Sequence, residues 1–340
     1  MKKTAIMAAA LLMLGACSQQ QKKSGSVEFV NDEAGKKVDV LIDGKYFTSY
    51  IYPDDMEKQV LWPIMTASGK DITRGYPRAP RPFERVDHPH HVGLWFNFGN
   101  VNGLDFWNNS FAIKPEAKDR YGSVEFRKIV REDPAKGELV TLADWTDNKG
   151  NVLMEEEATY AFGGDSVLRT IARTTKLTAK QPVTFTENKE GLFALRMDRA
   201  FEEPADKPQK FLDSEGNVTE VPILNNDGVN GVYRNAEGVT GGDVWGKKSP
   251  WVALRAVKDG EPITVVILDN PANPGYPAWS HARGYGLFSA NNLGGRAVNP
   301  ETEELKITLK PGETLTFKHK VVIGGDLTDA QINQFAADFR

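Results

Sequence analysis

The chain has 340 residues, of which 40% are hydrophobic and 26% are charged, and its formal net charge is −4. This length is sufficient for one large domain with an ample core or for two smaller domains. Lys and Arg are scattered rather than clustered, which argues against a nucleic-acid-binding surface, so we expect no nucleic-acid partner. Cys17 is the only cysteine, so no disulfide can form within one chain.

The N-terminal residues have the pattern of a targeting signal. A basic start precedes an apolar run over 5–14 that is too short to span a bilayer. The run ends in Leu-Gly-Ala before Cys17, which resembles the lipobox of bacterial lipoproteins and implies removal of residues 1–16 and lipidation of Cys17. The alternative is an ordinary secretory signal with an incidental cysteine. Ser18 gives no acidic retention signal, so we expect a lipid anchor in the cell envelope, at the outer membrane of a Gram-negative bacterium.

Residues 17–26 are polar without an apolar pattern, which predicts a flexible tether. The remainder favours strands and turns, because 31 Gly and 19 Pro leave little room for long helices. Apolar and alternating runs predict strands over 27–30, 38–42, 46–52, 60–65, 123–131, 138–146, 152–162, 166–177, 183–187, 251–257, 263–268, 305–309 and 314–323. A small hairpin is predicted over 210–221 and a loop over 225–246.

Long strands joined by short turns predict an all-β fold class, a large antiparallel β-sandwich. Thr328 and Gln331 form the sequence pattern of a capping box, which predicts one short C-terminal helix over 329–339. There is no internal repeat and no domain boundary, so we expect residues 27–340 to form a single domain.

Three of the five histidines, His88, His90 and His91, lie within four positions. They follow a stretch over 66–87 that is rich in Gly, Pro and Arg and is predicted to be a long ordered loop, of the kind that is often functional. Imidazole suits proton transfer near neutral pH and is also the commonest metal ligand. The cluster therefore indicates a site, although a histidine-rich loop that only caps a strand is the plainer alternative.

Period-two alternation predicts which side chains share a face. In the strand after the histidines, the predicted core-facing residues are Val92, Leu94, Phe96 and Phe98, and the predicted opposite face carries His91, Trp95 and Asn97. In the segment 190–197, Glu190 and Arg196 project opposite an apolar face, an arrangement that an ordinary ion pair on a solvated sheet would also give. In the segment 279–286, one face carries Trp279, His281, Arg283 and Tyr285.

Aromatic rings beside charged and imidazole groups are typical of sugar sites, where rings cover the apolar face of a pyranose and polar groups bind its hydroxyls. Solvent-exposed strands seldom carry Trp, His, Arg and Tyr together. The segment 279–286 therefore favours a site over a plain sheet surface.

Several motifs together resemble a known family. They are the segments 87–96, 101–107, 189–191 with Arg196, 246–251, 269–273 and 279–286. The resemblance is to the PmoA-like family, secreted or periplasmic bacterial proteins known under the label "methane oxygenase PmoA", and it covers roughly 40–323. Two departures are Val92, where an arginine is expected, and Asn270, where a histidine is expected.

This resemblance implies a fold similar to the galactose mutarotase-like supersandwich, in which histidines and a carboxylate on one sheet face act on a sugar ring. It also implies an association with carbohydrate utilisation, and it adds Asn273 to the substrate-binding candidates. The literal family label does not suit this chain, because subunits of particulate methane oxygenase span membranes many times. The activity rests on fold analogy at this point.

We therefore expect an envelope-anchored enzyme that acts on a glycoside or a modified sugar as a hydrolase, lyase or epimerase, with a small-molecule or oligosaccharide substrate. His281 and Glu190 are the predicted acid–base pair, and His91 or His90 is a further acid or ligand. Arg196 and Arg283 would stabilise developing negative charge. The predicted aromatic platform consists of Trp95, Trp279 and Tyr285.

Two other functions stay open. The same lining would serve a lipid-anchored sugar-binding protein without turnover. Alternatively, His88 and His90 with His91 or His281 could hold a divalent metal in a metalloenzyme, although no cofactor is otherwise expected. Classical glycoside hydrolysis uses two carboxylates, and besides Glu190 the motifs offer only Asp269 as a possible second.

Overall fold

The computed structural model describes residues 25–340, and in that range the chain forms eighteen β-strands and two α-helices. The strands are β1 (Val27–Asp32), β2 (Lys37–Ile42), β3 (Lys45–Ile51), β4 (Val60–Ile64), β5 (Leu94–Phe98), β6 (Gly122–Asp133), β7 (Glu138–Asp147), β8 (Val152–Gly164), β9 (Arg169–Ala179), β10 (Val183–Phe185), β11 (Gly191–Arg196), β12 (Val232–Asn235), β13 (Trp251–Lys258), β14 (Glu261–Asp269), β15 (Trp279–Ser280), β16 (Leu287–Asn291), β17 (Ile307–Leu309) and β18 (Thr314–Gly324). The helices are α1 (Gly295–Val298) and α2 (Asp329–Asp338). The predicted signal peptide, Cys17 and most of the predicted tether lie outside the described residues.

Two large antiparallel sheets contain most of these strands. The first sheet has the order β1-β2-β3-β4-β5-β11-β16-β15, and the second has the order β12-β13-β14-β18-β9-β8-β7-β6. Phe96 and Leu195 of the first sheet share one buried cluster with Trp145 and Val265 of the second. The sheets therefore face each other across a common core, and the predicted antiparallel β-sandwich of the all-β class is confirmed.

The outer face of the second sheet is covered by α2. Ile332 of this helix packs with Trp251 and Leu268 of the sheet in a separate apolar cluster. The predicted capping box is present, because Thr328 and Gln331 exchange hydrogen bonds between side chain and backbone. The short C-terminal helix is confirmed and ends one residue before its predicted end. Among residues 25–340, no helix is long and apolar enough to cross a membrane.

The outer face of the first sheet carries a third apolar cluster. Its buried members include Trp95 of β5, Ala194 of β11 and Trp107 of the loop after β5. The long segment between β4 and β5 has no named strand, as predicted for 66–87, and it supplies His91 and Val92 to this face. The sequence-predicted site residues gather on this outer face.

The prediction for Val92 is wrong. Val92 packs with Trp95 in the outer cluster, whereas Leu94 and Phe96 enter the common core as predicted. The reason is Gly93, whose φ of +54° breaks the alternation so that β5 begins only at Leu94.

The prediction for the chain after residue 210 is partly wrong. The hairpin over 210–221 is reduced to isolated bridges, and the predicted loop over 225–246 contains β12 at the edge of the second sheet. The predicted strand at 279–286 is the two-residue β15, and β16 follows it without having been predicted. All five residues of β16 are buried, and a strand that is buried on both faces shows no alternation to recognise.

Candidate functional site

Rings from three separate segments contact one another on the outer face of the first sheet. The centroid of the His91 ring lies 5.3 Å from that of Trp95 and 5.7 Å from that of Trp107. The Trp107 ring in turn lies 6.0 Å from the His281 ring, nearly parallel to it. His91 and His281 therefore belong to one continuous patch, although 190 residues separate them.

The rim of this patch is more accessible than its base. His88 stacks against both His91 and Tyr285, with a centroid distance of 4.8 Å in each case, and the centroids of His91 and Tyr285 lie 6.3 Å apart. The side chain of His88 is 40% exposed, whereas Trp95 and Trp107 are fully buried. The predicted aromatic platform thus has Tyr285 and His88 at its edge and the two tryptophans beneath.

Local hydrogen bonds fix the position of Trp107. The Asn97 side chain, which faces outward on β5 as predicted, donates to the carbonyl oxygen of Phe106 at 2.6 Å. Asp105 accepts a hydrogen bond from the backbone N–H of Trp107 at 2.9 Å. These bonds hold the loop after β5 against the strand, so the indole packs on Trp95 with centroids 5.2 Å apart.

Two buried arginines meet at one carboxylate oxygen beneath the rim. Arg74 and Arg196 each donate to Asp87 Oδ1 at 2.6 Å, and both guanidinium groups are buried. Burial by itself raises the pKa of Asp87, but the charges of Arg196 and Arg74 and the His88 imidazole 3.3 Å away outweigh burial and hold the pKa well below its usual range. The Arg196 guanidinium also lies 4.7 Å from the centre of the Tyr285 ring.

The contacts of His91 assign its tautomer. Arg196 Nη1 lies 3.4 Å from His91 Nδ1, and a guanidinium only donates hydrogen bonds, so Nδ1 accepts and the proton resides on Nε2. Burial, with His90 and Arg196 nearby, lowers the pKa of His91 well below its usual range. His91 is therefore a neutral imidazole that presents an Nε2–H donor. Burial also lowers the pKa of His90, to about 2.

The predicted pair of Glu190 and His281 meets in the structure. Glu190 Oε2 lies 3.7 Å from His281 Nδ1. At the opposite edge of the ring, Nε2 accepts a hydrogen bond from Arg283 Nε at 3.2 Å. The proton of the neutral ring is thus assigned to Nδ1, facing the carboxylate. Burial lowers the pKa of His281 to about 4, although Glu190 acts in the opposite direction. The Arg283 guanidinium lies over the Trp245 ring at 5.0 Å.

Unpaired polar atoms concentrate in the same patch. In the part of the chain that the structure describes, the following buried ring nitrogens have no hydrogen-bond partner: His90 Nε2, His91 Nε2, Trp95 Nε1, Trp107 Nε1 and His281 Nδ1. A buried polar group without a partner costs about 1–3 kcal/mol, so such groups are rare and need an explanation. A polar ligand that reaches this patch would supply the missing partners.

Two predicted binding residues do not join this patch. Trp279 lies on the edge strand β15, and its ring contacts Lys248 Nζ at 5.6 Å. The Asn273 side chain donates to Asp269 Oδ1 at 2.7 Å, inside a separate buried network that also includes Asn292. Burial raises the pKa of Asp269 to about 6. The possible second carboxylate is thus engaged in this network rather than placed beside Glu190.

The three clustered histidines do not form a shared donor set. His88 and His91 stack face to face at an interplanar angle of 6°, and parallel stacked rings do not direct their nitrogens at one ion. Among residues 25–340, no group of three or more His, Cys, Asp or Glu side chains is arranged to hold a metal. The arrangement of His88, His90 and His91 therefore does not fit the metal site considered from the sequence.

Sequence reasoning missed Lys58. Its ammonium donates to the carbonyl oxygen of His90 at 2.8 Å and lies 5.5 Å from the Trp95 ring centre. Burial lowers the pKa of Lys58 to about 7, against the opposing charges of Glu57 and Asp105. A lysine in a charged, non-periodic segment gives no sequence signal that it will be buried. Trp107 and Asp87 lie in the motifs named from the sequence, and Arg74 lies in the predicted loop, but the sequence assigned none of them a role in the site.

The chain belongs to the family of unknown function (DUF6807), whose sequence model matches residues 37–337. The predicted membership of the PmoA-like family is therefore wrong, because the family model that matches the sequence is that of DUF6807. No curated protein matches the sequence.

Solved structures resemble this fold at low sequence identity. A GH36 alpha-galactosidase from Geobacillus stearothermophilus in complex with raffinose is 11% identical, with 88% of this chain and 40% of that chain covered and a TM-score of 0.38. The galactosidase domain of an alpha-galactosidase-sucrose kinase is 10% identical over 87% of this chain and 42% of that chain, with a TM-score of 0.38. This chain thus spans about two fifths of the length of each of these proteins.

A galactose mutarotase related enzyme from Lactobacillus acidophilus, the kind of fold predicted from the sequence, is 9% identical over 89% of this chain and 98% of that chain, with a TM-score of 0.30. At these identities and TM-scores, the similarities carry no argument about activity.

Proposed function

We propose that this protein is a carbohydrate-active enzyme that acts on a glycoside or a modified sugar by acid–base chemistry, at the outer face of the first sheet. The observation that carries the proposal is the meeting of Glu190 and His281 at 3.7 Å, beside buried rings whose polar atoms lack partners in residues 25–340. Glu190 and His281 are far apart in sequence, so no local structure requires them to meet. The unpaired polar atoms beside them are costly in the folded chain, and a bound ligand would supply their partners.

His281 is suited to accept a proton. With a pKa of about 4 the imidazole is neutral at pH 7, and its Nε2 carries the lone pair that now accepts from Arg283. A substrate hydroxyl or carbon acid that displaces Arg283 would meet this lone pair. Glu190, on the Nδ1 side, would stabilise the imidazolium that forms, as a carboxylate behind a histidine does in general-base catalysis.

The remaining groups are suited to binding. Tyr285 and His88 present ring faces at the rim, where they can cover the apolar face of a sugar ring. The Nε2–H of His91 and the indole N–H groups of Trp95 and Trp107 are buried donors without partners in the described structure, so a ligand whose hydroxyl or developing oxyanion oxygens reach this base would pair with them. Arg196 places positive charge beneath them.

The test is turnover by the purified protein on a panel of glycosides and keto-sugars, followed by mass spectrometry of the products. The double variant Glu190→Gln with His281→Asn is expected to lose at least 100-fold in rate, the range for removing general acid–base groups, which is about 10²–10⁴-fold. Glu157→Gln, an exposed carboxylate on the second sheet, is the matched control and should keep the rate. Activity that survives the double replacement would reject the assignment.

A second candidate is a sugar-binding protein without turnover. The observation that favours it is the hydrogen bond from Arg283 to His281 Nε2, which occupies the one lone pair that a general base needs. Calorimetry separates the two functions. A glycan that binds wild type and the Glu190→Gln, His281→Asn double variant equally, without turnover by wild type, would support binding alone.

We further propose that Cys17 carries the lipid anchor and that the protein acts in the cell envelope. The support is the sequence pattern before Cys17, which lies outside the described residues. Cell fractionation tests it, because Cys17→Ser should move the protein from the membrane fraction to the soluble fraction. A variant that stays in the membrane fraction would reject this anchor.

A further inference from the structure

Lys58 is a buried amine with unusually few partners. The residue is 4% exposed, and its Nζ donates to the carbonyl oxygen of His90. An ammonium has three N–H groups, and within residues 25–340 no carboxylate forms an ion pair with this one. A buried charge in such surroundings is costly, so the neutral amine is favoured.

The charged groups around Lys58 are engaged elsewhere. Glu57 binds Lys118 at 2.7 Å and accepts from Ser123 at 2.6 Å. Asp55 pairs with Arg78 at 2.6 Å, and Asp105 accepts from the backbone of Trp107 and Asn108. The neighbouring His90 is neutral, because burial lowers its pKa to about 2. These pairings leave the Lys58 nitrogen without a compensating negative charge in contact.

Lys58 is one of the residues that line a cavity of about 140 Å³. Its polar lining includes His90, Asn109 and Ser110, and its apolar lining includes Met56 and Val92. A protein cavity of about 150 Å³ can hold benzene, so this volume suits a molecule of about six non-hydrogen atoms. Neither Glu190 nor His281 lines this cavity.

We propose that Lys58 forms an imine with a small carbonyl compound bound in this cavity, such as a three-carbon aldose or ketose. The nitrogen lone pair adds to the carbonyl carbon, and the carbonyl oxygen takes up a proton. The carbinolamine then expels that oxygen as water while the C=N bond forms. Both hydrogens of the water come from the amine, so no oxidant, reductant or further reactant is required.

The surroundings of Lys58 supply what this step needs. The carbonyl oxygen of His90 holds one N–H and so orients the nitrogen, while the Ser110 hydroxyl offers a hydrogen bond to a hydroxyl of the compound. The inference goes beyond the acid–base function proposed for Glu190 and His281 and does not depend on it. Either can fail while the other holds, because the two tests use different residues and different reactions.

The experiment uses the full chain with D-glyceraldehyde, a carbonyl compound of six non-hydrogen atoms, and sodium cyanoborohydride to trap imines as stable amines. Peptide mapping by mass spectrometry then gives the modification rate at each lysine at pH 7. We expect Lys58 to be modified at least tenfold faster than the exposed Lys149 and Lys310 of the same molecule. We also expect its rate to saturate with glyceraldehyde concentration, because the aldehyde must first bind, while the exposed lysines respond linearly.

The comparison within one molecule does not require any variant to fold. As a further check, Lys58→Met should abolish the fast, saturable modification, and the matched Lys149→Met should leave it intact. Modification of Lys58 at or below the rate of the exposed lysines would overturn the proposal. A fast rate that rises linearly without saturation would also overturn it, because it would mean a reactive amine without a binding site.

Discussion

Asp87 and Arg196 are separated by 109 residues and joined by a hydrogen bond of 2.6 Å, through the carboxylate oxygen that also binds Arg74. One carboxylate thereby ties the long loop before β5 to the end of β11. The loop carries His88 and His91, and β11 carries the cation that fixes the tautomer of His91. The base of the candidate site depends on this ion pair.

Removal of the Asp87 carboxylate should therefore strongly destabilise the folded protein. In Asp87→Ala the guanidinium groups of Arg74 and Arg196 stay buried without their counter-charge, and breaking a buried pair from one side costs about 3–5 kcal/mol. Urea denaturation followed by tryptophan fluorescence measures the loss. Asp54→Ala is the control, because the Asp54 side chain is 86% exposed, and it should change stability by less than about 0.5 kcal/mol. A loss below about 1 kcal/mol in Asp87→Ala would contradict the central role of this pair.

The pKa of His281 reports on its pairing with Glu190. NMR titration of the wild type should give a pKa near 4 for His281, because burial lowers it and Glu190 offsets part of that effect. In Glu190→Gln the offsetting charge is lost, so the pKa should fall further. Glu157→Gln should leave it unchanged. A His281 pKa that is unaltered in Glu190→Gln would mean that the carboxylate does not act on the ring.

Local alternation predicted the parts of the site that lie on strands. Trp95 and Arg196 face outward on β5 and β11, because a buried strand in this sandwich sends alternate side chains to its two faces. The same rule failed for Trp279, since β15 has only two residues and the chain then leaves the strand conformation. Period-two reasoning is valid only where a strand exists, and strand length near a sheet edge is decided by its neighbours.

Tertiary contacts produced what the sequence did not predict. Lys58 is buried by the long loop and Trp95, and no local pattern marks a lysine for burial. Asn273 belonged to a motif, but its neighbours in space, Asp269 and Lys318, make it part of a core network. The convergence of His91 with His281 likewise depends on the order of strands in the first sheet, which alternation does not encode.

The buried histidines should make the protein sensitive to acid, and His319 isolates one such contribution. Burial, with Arg173 nearby, lowers its pKa to about 3, whereas the unfolded chain takes up the proton near pH 6.5. Between these values the unfolded state binds the extra proton, so stability falls as pH falls, by about 1.4 kcal/mol per unit. The His319→Gln variant has no imidazole and so lacks this pH-dependent contribution to stability. The stability of wild type relative to the variant should therefore decline by this slope from pH 5.5 to 4, measured by urea unfolding. A constant difference would mean that His319 is not held neutral.

Lys58 should give a pH dependence of the same sign in the alkaline range. Its pKa is about 7 in the folded state and about 10.4 in the unfolded chain, so between these values the unfolded state binds more protons and stability rises with pH. Lys58→Met removes the buried amine and should be more stable than wild type at pH 7. This advantage should shrink by about 1.4 kcal/mol per unit up to pH 9.5, measured by urea unfolding. An advantage that does not change with pH would show that Lys58 is not buried as an amine.

Gly93 should be essential for the geometry that places His91 and Val92 on the outer face. Its φ is +54°, and a Cβ built there would overlap the backbone carbonyl oxygen of Leu61, which cannot move without displacing β4. Gly103 is the matched control, because its φ is +82° and, in the described chain, no atom lies within 4 Å of a Cβ placed there. Gly103→Ala therefore reports the cost of the backbone conformation alone, about 1 kcal/mol.

Gly93→Ala adds a collision with the backbone to the same conformational cost, so it should lose about 3 kcal/mol in urea unfolding. It should also shift the fluorescence of Trp95 and Trp107, because the start of β5 is displaced. Equal losses in the two variants would show that the close approach to Leu61 does not constrain the strand. The outward placement of His91 would then require an explanation other than Gly93.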